Sequence, residues 1–258
     1  MLFRSPAIAS HFSISRIDFR ESHVVTPAVD EILKHTPGFS LFRRSSSAIS
    51  NPTIQGVSLR GIGPSGASRS LVLWQGLPMN DPFGGWVYWS RLNAAAIARV
   101  EIVRGGGSSL YGSSPISGIV QFLPDMSPHA RLIAQGHSTG AYDLSASLVK
   151  PLHSNFKLHV AAKSGKMGNY YKIPQAQRGQ VDTRAHAVYN QLSAGVRFSR
   201  NRWIWWLGGT LFDEQRDNGT KIQQNDTRLY TVDGELMYQV SPRFSLEWQT
   251  LYHSQTFN

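Results

Sequence analysis

Residues 99–123, RVEIVRGGGSSLYGSSPISGIVQFL, constrain this chain most, because two short alternating apolar runs flank a loop too rich in Gly and Ser to extend either. Gly105, Gly106, Gly107 and Gly112 permit backbone turns that a side chain would block. Val100, Ile102 and Leu123 read as core positions. Glu101 and Arg104 place opposite charges in one extended segment, and both cannot be buried without partners. The stretch predicts a strand, a tight polar turn and a return strand.

Upstream, Thr26 as a cap, Pro27 at the first helical position, a face of Val29, Ile32 and Leu33, and a stop at Pro37-Gly38 predict a short helix. Residues 39–43 and 54–60 read as strands around a polar loop, and 13–19 alternates enough for one short strand. Residues 61–66 spell G-x-G-x-x-G, the spacing of a dinucleotide-binding loop. That use needs a helix opening at the last glycine, whereas Ser70-Leu71-Val72-Leu73-Trp74 is a strand. Residues 81–90, DPFGGWVYWS, form an aromatic loop, and Ser90 is placed to cap a short helix over 92–97.

After Pro124 the texture changes. Seven segments, near 130–137, 141–149, 156–163, 189–199, 202–213, 230–240 and 243–253, alternate apolar with polar residues. In the last, Phe244, Leu246, Trp248 and Tyr252 oppose Arg243, Ser245, Glu247, Gln249 and His253. Short turns separate some segments and longer polar stretches, 165–184 and 213–226, separate others, an asymmetry that suits a membrane β-barrel. Trp203, Trp205, Tyr238, Trp248 and Tyr252 lie where interfacial girdles would. A soluble antiparallel sandwich alternates identically, so periodicity leaves both architectures open.

Composition narrows the classes. Charged residues are 16% of the chain, below the roughly 25% of soluble domains, and no apolar run reaches the eighteen residues a helical span needs. The net charge of +10 is scattered, without the basic block of a nucleic-acid surface. There is no cysteine for disulfides or thiolate metal sites. No H-E-x-x-H, G-x-S-x-G or Walker motif occurs, and the nine histidines are dispersed, so no catalytic, metal or cofactor site is expected.

The central stretch resembles the plug domain of TonB-dependent outer-membrane receptors: an acidic strand at Glu101, an Arg104-Gly105 turn, a Ser-rich turn ending in Tyr111-Gly112, and a Gly-led return strand. The resemblance spans roughly residues 26–125, takes in the Pro-Gly-Phe after the first helix and the Arg60-Gly61 turn, and departs at Gln75-Gly76, where the family usually has Asp before the glycine. It implies an α+β plug domain followed by antiparallel transmembrane β-barrel strands, with 1–25 an N-terminal segment, 26–125 the plug and 126–258 the first part of the barrel.

By the same resemblance Arg60, Glu101 and Arg104 anchor plug to barrel, the arginines meeting carboxylates on later strands, with local pairing as the alternative. Gly61, Gly105, Gly107, Tyr111 and Gly112 build the plug turns. Ligand contacts are implied at the apices, at Arg43, Arg44, Ser65, Trp86, Tyr88 and Trp89, with packing of the three aromatics between plug and barrel wall the alternative. The implied activity is TonB-dependent uptake of a scarce ligand, such as an iron-siderophore or cobalamin, across the outer membrane of a Gram-negative bacterium, without enzymatic chemistry. Implied partners are the TonB-ExbB-ExbD energising complex, outer-membrane lipid and a small organic or metal-chelate ligand, but no nucleic acid. No export signal or TonB box is evident before Val24.

A compact domain the length of residues 1–124 measures about 35 Å across, whereas eight strands enclose about 16 Å and twenty-two about 44 Å before side chains. Only the larger accepts a folded plug. The resemblance therefore implies a fragment with about seven strands of an expected 22. Two rivals stand beside it: a recognition or signalling receptor or adhesin without transport, and a soluble β-sandwich protein with an α+β binding domain.

Overall fold

A computed structural model describes residues 13–20, 28–41, 45–59, 70–105 and 117–258, and the chain divides into two compact units, Met1–Asp125 and Met126–Asn258. The first unit holds β1 (Ser13–Asp18), α1 (Val29–Leu33), β2 (Phe39–Leu41), β3 (Val57–Leu59), β4 (Ser70–Trp74), β5 (Leu77–Pro78), β6 (Ile97–Arg104) and β7 (Gly118–Pro124). Five of these strands form one sheet in the order β1-β6-β7-β4-β5, while β2 and β3 pair separately. The β4–β7 pairing is parallel and the others are antiparallel. Val100 and Ile102 are fully buried, as their alternation predicts, and join a core with Val29, Leu33, Val72 and Phe122 in which burial is also complete, while Leu123, almost fully buried, lies opposite Arg99 on the other side of the sheet.

Local chemistry departs from expectation at several ends. The helix cap is Ala28, without a side-chain hydrogen bond, and Thr26 and Pro27 lie outside the described residues. Gly38, at φ +77°, does turn the chain after Pro37 into β2. Strand β3 begins only at Val57, because Asn51 Oδ1 accepts from Thr53 N and winds Pro52–Ile54 into a 3-10 turn. Ser90 caps no helix: it lies inside the 3-10 turn Trp89–Arg91, and Asn93 caps a second one, Ala94–Ala96, by accepting from Ala95 N at 3.0 Å. Between β4 and β5, Gln75 (φ +52°) and Gly76 (φ +84°) make a two-residue hairpin with both φ positive, so Gln at 75 keeps the expected turn.

The second unit is one antiparallel meander of β8 (His129–Gly136), β9 (Tyr142–His153), β10 (Phe156–Tyr171), β11 (Arg184–Arg200), β12 (Trp203–Asp217), β13 (Gln224–Ser241) and β14 (Phe244–Phe257). All seven expected segments are strands, but they run longer, up to 18 residues in β13. The polar stretches 165–184 and 213–226 accordingly shrink to loops at 172–183 and 218–223. Ladder hydrogen bonds need no apolar side chains, so pairing continues past the point where the apolar alternation stops. At the opposite end three turns have two residues each, Ser154-Asn155, Asn201-Arg202 and Pro242-Arg243.

Exposure decides between the architectures left open above. Leu207 (58%), Leu211 (51%), Val232 (52%) and Trp248 (68%) are exposed, whereas Asp143, Lys163, Glu214 and Arg216 on the other face are buried. This unit has a single sheet, and its apolar face is turned away from its own interior. A soluble sandwich buries that face against a second sheet, so the sandwich reading is overturned. Next to the two-residue turns the exposed face carries aromatics in contact: Phe156 with Phe198 (5.0 Å between centroids), Phe198 stacked on Trp205 (5.5 Å), and Trp203 against Tyr238 (4.4 Å). The apolar band ends toward the longer loops at a polar ladder, where Ser164 Oγ donates to Asn190 Oδ1 (2.8 Å) and Asn190 Nδ2 to Asp213 Oδ2 (3.1 Å). From Trp203 to Leu211 is roughly 27 Å along the strand, or about 21 Å of height at a 40° tilt, close to the band of about 25 Å that lipid requires.

Depth along this face sets a cost that can be measured. Leu207→Arg, in mid-band, is expected to destabilise the chain folded in lipid vesicles by about 2–4 kcal/mol, and Gln215→Arg, beyond the band, by about 0–1 kcal/mol. Equal losses in urea unfolding would contradict a lipid-facing band.

Candidate functional site

The polar face of the second unit carries a built network. Register aligns Asp143, Gly165, Tyr189 and Glu214 in one row across β9 to β12. Gly165 leaves the space through which Tyr189 leans, for a Cβ there would sit 2.6 Å from the Tyr189 hydroxyl oxygen. Tyr189 therefore donates to Asp143 Oδ2 at 2.5 Å, while Ser145 Oγ donates to Asp143 Oδ1 at 2.8 Å. Lys163 Nζ lies 3.6 Å from the same carboxylate and 4.9 Å above the Tyr189 ring. Two positions apart on β12, Glu214 and Arg216 share this face and pair through two bonds, Nε–H to Oε1 at 3.0 Å and Nη2–H to Oε2 at 2.9 Å. Toward the two-residue turns, Trp206 lies over Gly195 and Gly208, donates to Asp233 Oδ2 and meets the His159 ring edge-on at 6.0 Å.

These groups were absent from the sequence-based candidates. Alternation marks them as polar positions but does not pair them, since the partners come from neighbouring strands. Buried charges persist only when paired, so the face offers a hydrogen-bonding, charge-bearing wall.

In the first unit the predicted site residues separate. Glu101 is buried, with Arg99 Nε at 3.3 Å and Arg16 Nε at 3.4 Å from its Oε1. Arg16 reaches it because β1 pairs with β6 in the register Arg16↔Glu101. Arg104 donates to Ser15 Oγ (2.7 Å) and to the Pro37 carbonyl (3.0 Å), which ties β6 to β1 and to the end of the helical turn. Gly105, at φ +113°, turns the chain after β6. Arg20, absent from the candidates, grips Asp125 through two bonds of 3.1 and 2.8 Å. Arg43, Arg44, Arg60, Gly61, Ser65, Gly107, Tyr111 and Gly112 lie outside the described residues.

The aromatic loop turns its three large rings inward. Trp86, Tyr88 and Trp89 are 9%, 3% and 1% exposed, and Trp89 belongs to the core. The side chain presented to solvent is Phe83, 96% exposed, on a turn shaped by Asp81 Oδ1, which accepts from Phe83 N and Gly84 N.

The TonB-dependent Receptor Plug Domain family matches residues 7–119. The chain carries the plug domain of the TonB-dependent receptors. Vitamin B12 transporter BtuB of Vibrio vulnificus (strain YJ016) is 30% identical over 255 residues, covering 91% of this chain and 38% of the relative. BtuB of Photobacterium profundum is 25% identical over 124 residues, or 47% and 19%. Among solved structures, the siderophore receptor PirA of Acinetobacter baumannii superposes at TM-score 0.74 with 15% identity, covering 96% of this chain and 40% of PirA. A mutant of the ferric enterobactin receptor PfeA of Pseudomonas aeruginosa gives 0.70 at 15% identity, with 95% and 40% covered. Such identities establish fold: a plug domain followed by antiparallel barrel strands. The receptor chain spans about two fifths of the length of these structures and less of some relatives.

Within the receptor's polar wall, Gly165→Ala is expected to displace Tyr189 and cost about 1–3 kcal/mol, against less than 1 kcal/mol for alanine at an open position such as Gly136. Thermal unfolding of both variants in detergent checks this, and equal stabilities would count against a role for the bare backbone at 165.

Proposed function

We propose that this receptor chain takes part in TonB-dependent uptake of a small metal-bearing ligand across the outer membrane of a Gram-negative bacterium. The reading rests on one observation above others: a plug domain precedes a strand meander whose apolar face is exposed while Asp143, Lys163, Glu214 and Arg216 line the opposite face. That distribution suits strands with lipid on one side and a polar passage on the other. The ligand class follows from the names of similar proteins, a vitamin B12 transporter, siderophore receptors and the copper transporter OprC, the last at TM-score 0.67 and 16% identity.

In this reading residues 26–125 work as the plug and 126–258 as barrel strands, and TonB with ExbB and ExbD supplies the energy. Arg60, Glu101 and Arg104 anchor the plug, and Arg43, Arg44, Ser65 and the loop that carries Phe83 form its ligand-facing apices.

Uptake of radiolabelled cobalamin, ferric siderophores and copper, compared in cells with and without TonB, tests the proposal. Expression of the receptor is expected to raise uptake of one of these cargoes, with the gain abolished when TonB is deleted. A gain that survives TonB deletion, or no gain for any of them, would overturn it.

A further inference from the structure

Tyr171 ends β10 and Arg184 opens β11, and register pairs them across the two strands. A bulge at Asn169 (φ +67°) precedes the pair. Beyond it, the buried Ala185 keeps to the polar face while Tyr171 and Arg184 fall on the side of Leu192 and Leu207. The loop 172–183 then brings Arg178 back over the same ring, with its guanidinium carbon 3.6 Å from the Tyr171 centroid and that of Arg184 at 5.7 Å. Two cations thus share one tyrosine.

The arrangement is held in place. The 3-10 turn Gln175–Gln177 delivers Arg178, Gly179 N donates to Asp182 Oδ2 at 2.7 Å, and Asp182 bridges to Thr220. Thr183 N donates to the Gly219 carbonyl at 2.9 Å, fastening this loop to 218–223. Nearby carboxylates are engaged elsewhere, Asp182 as above and Asp217 with Gly219 N at 2.9 Å. Among the described residues neither Arg178 nor Arg184 forms an ion pair, and Arg178 makes one hydrogen bond, to the Ile173 carbonyl at 3.3 Å. Two adjacent guanidiniums repel until an anion with several oxygens joins them through charge-assisted bonds.

Height selects the anion. From Asn190, in the ladder that ends the apolar band, to Arg184 is six residues, roughly 20 Å along the strand and about 15 Å of height. Phospholipid head groups add only about 5–8 Å beyond the hydrocarbon on each side. A phospholipid phosphate therefore stays below the pair, whereas a phosphate on an extended saccharide head group reaches it. We propose that Arg178 and Arg184, stacked on Tyr171, bind phosphate groups of a phosphorylated glycolipid in the leaflet around the receptor.

The inference rests on the outer-membrane reading above. The test uses the receptor extracted from its own membranes in mild detergent, with native mass spectrometry counting retained lipid after titration with phosphorylated glycolipid, its dephosphorylated form, phosphatidylglycerol or inorganic phosphate. Wild type is expected to retain the phosphorylated glycolipid alone. R178Q and R184Q should each weaken retention about tenfold, with R178K/R184K intermediate. Unchanged retention in R178Q/R184Q that still shows native strand content would overturn the inference, as would equal retention of the dephosphorylated lipid, phosphatidylglycerol or free phosphate. Release of the receptor from membranes by alkali would instead refute the outer-membrane reading itself.

Discussion

Backbone amides and carbonyls in hydrocarbon have no water to turn to, and between β8 and β14 the second unit answers this through strand-to-strand pairing. Seven strands in sequence order hold continuous register from β8 to β14, interrupted only by local shifts such as the one at Gly168/Tyr170. Once the ladder satisfies the backbone, the pleat sends alternate side chains to opposite faces. Leu207 and Trp248 then lie exposed while Glu214 and Lys163 are buried. The aromatics beside the short turns and the Ser164–Asn190–Asp213 ladder mark the two edges of the apolar band on that face.

The polar face shows how large side chains are accommodated between closely spaced strands. Tyr189 crosses the bare backbone at Gly165 and Trp206 lies over Gly195 and Gly208, so missing side chains in the adjacent strand, and for Trp206 also in its own, admit the rings. Ion pairs such as Glu214–Arg216 add little net stability after desolvation, and apolar residues of similar volume would hold a soluble core as well. Their presence on this face speaks for a polar setting. The first unit works on different terms: one sheet face packs on α1 and the loop 86–92 through Val100, Ile102 and Val120, while Glu101 points the other way toward arginines.

Much of this is legible in the amino-acid sequence. Period-two alternation located all seven strands of the second unit and the core positions of β6, because each residue in a strand reports its own face. The Gln75-Gly76 turn was legible for a similar reason, being confined to two residues. Strand ends, the cap at Asn93 and the partners of Glu101 were not. Polar residues pair their backbones as readily as apolar ones, which hid the extensions beyond 163 and 213. Ser90 and Asn93 are both competent caps, and the choice depends on where β6 begins. Arg16 and Arg20 meet carboxylates 85 and 105 positions away, Glu101 and Asp125, and no local pattern announces such pairs.

Trp86, Tyr88 and Trp89 make the same point about aromatics, whose chemistry serves a core as well as a ligand site. Local order in the chain settled which residues alternate, where turns fall, and that a Gly-rich loop joins an acidic strand to its return. Three-dimensional folding settled which face of each strand meets its surroundings. Alternation is a property of neighbours along the chain and survives turning a strand over. The direction of burial depends on whether a second layer covers the apolar side, and in residues 126–258 no second sheet does.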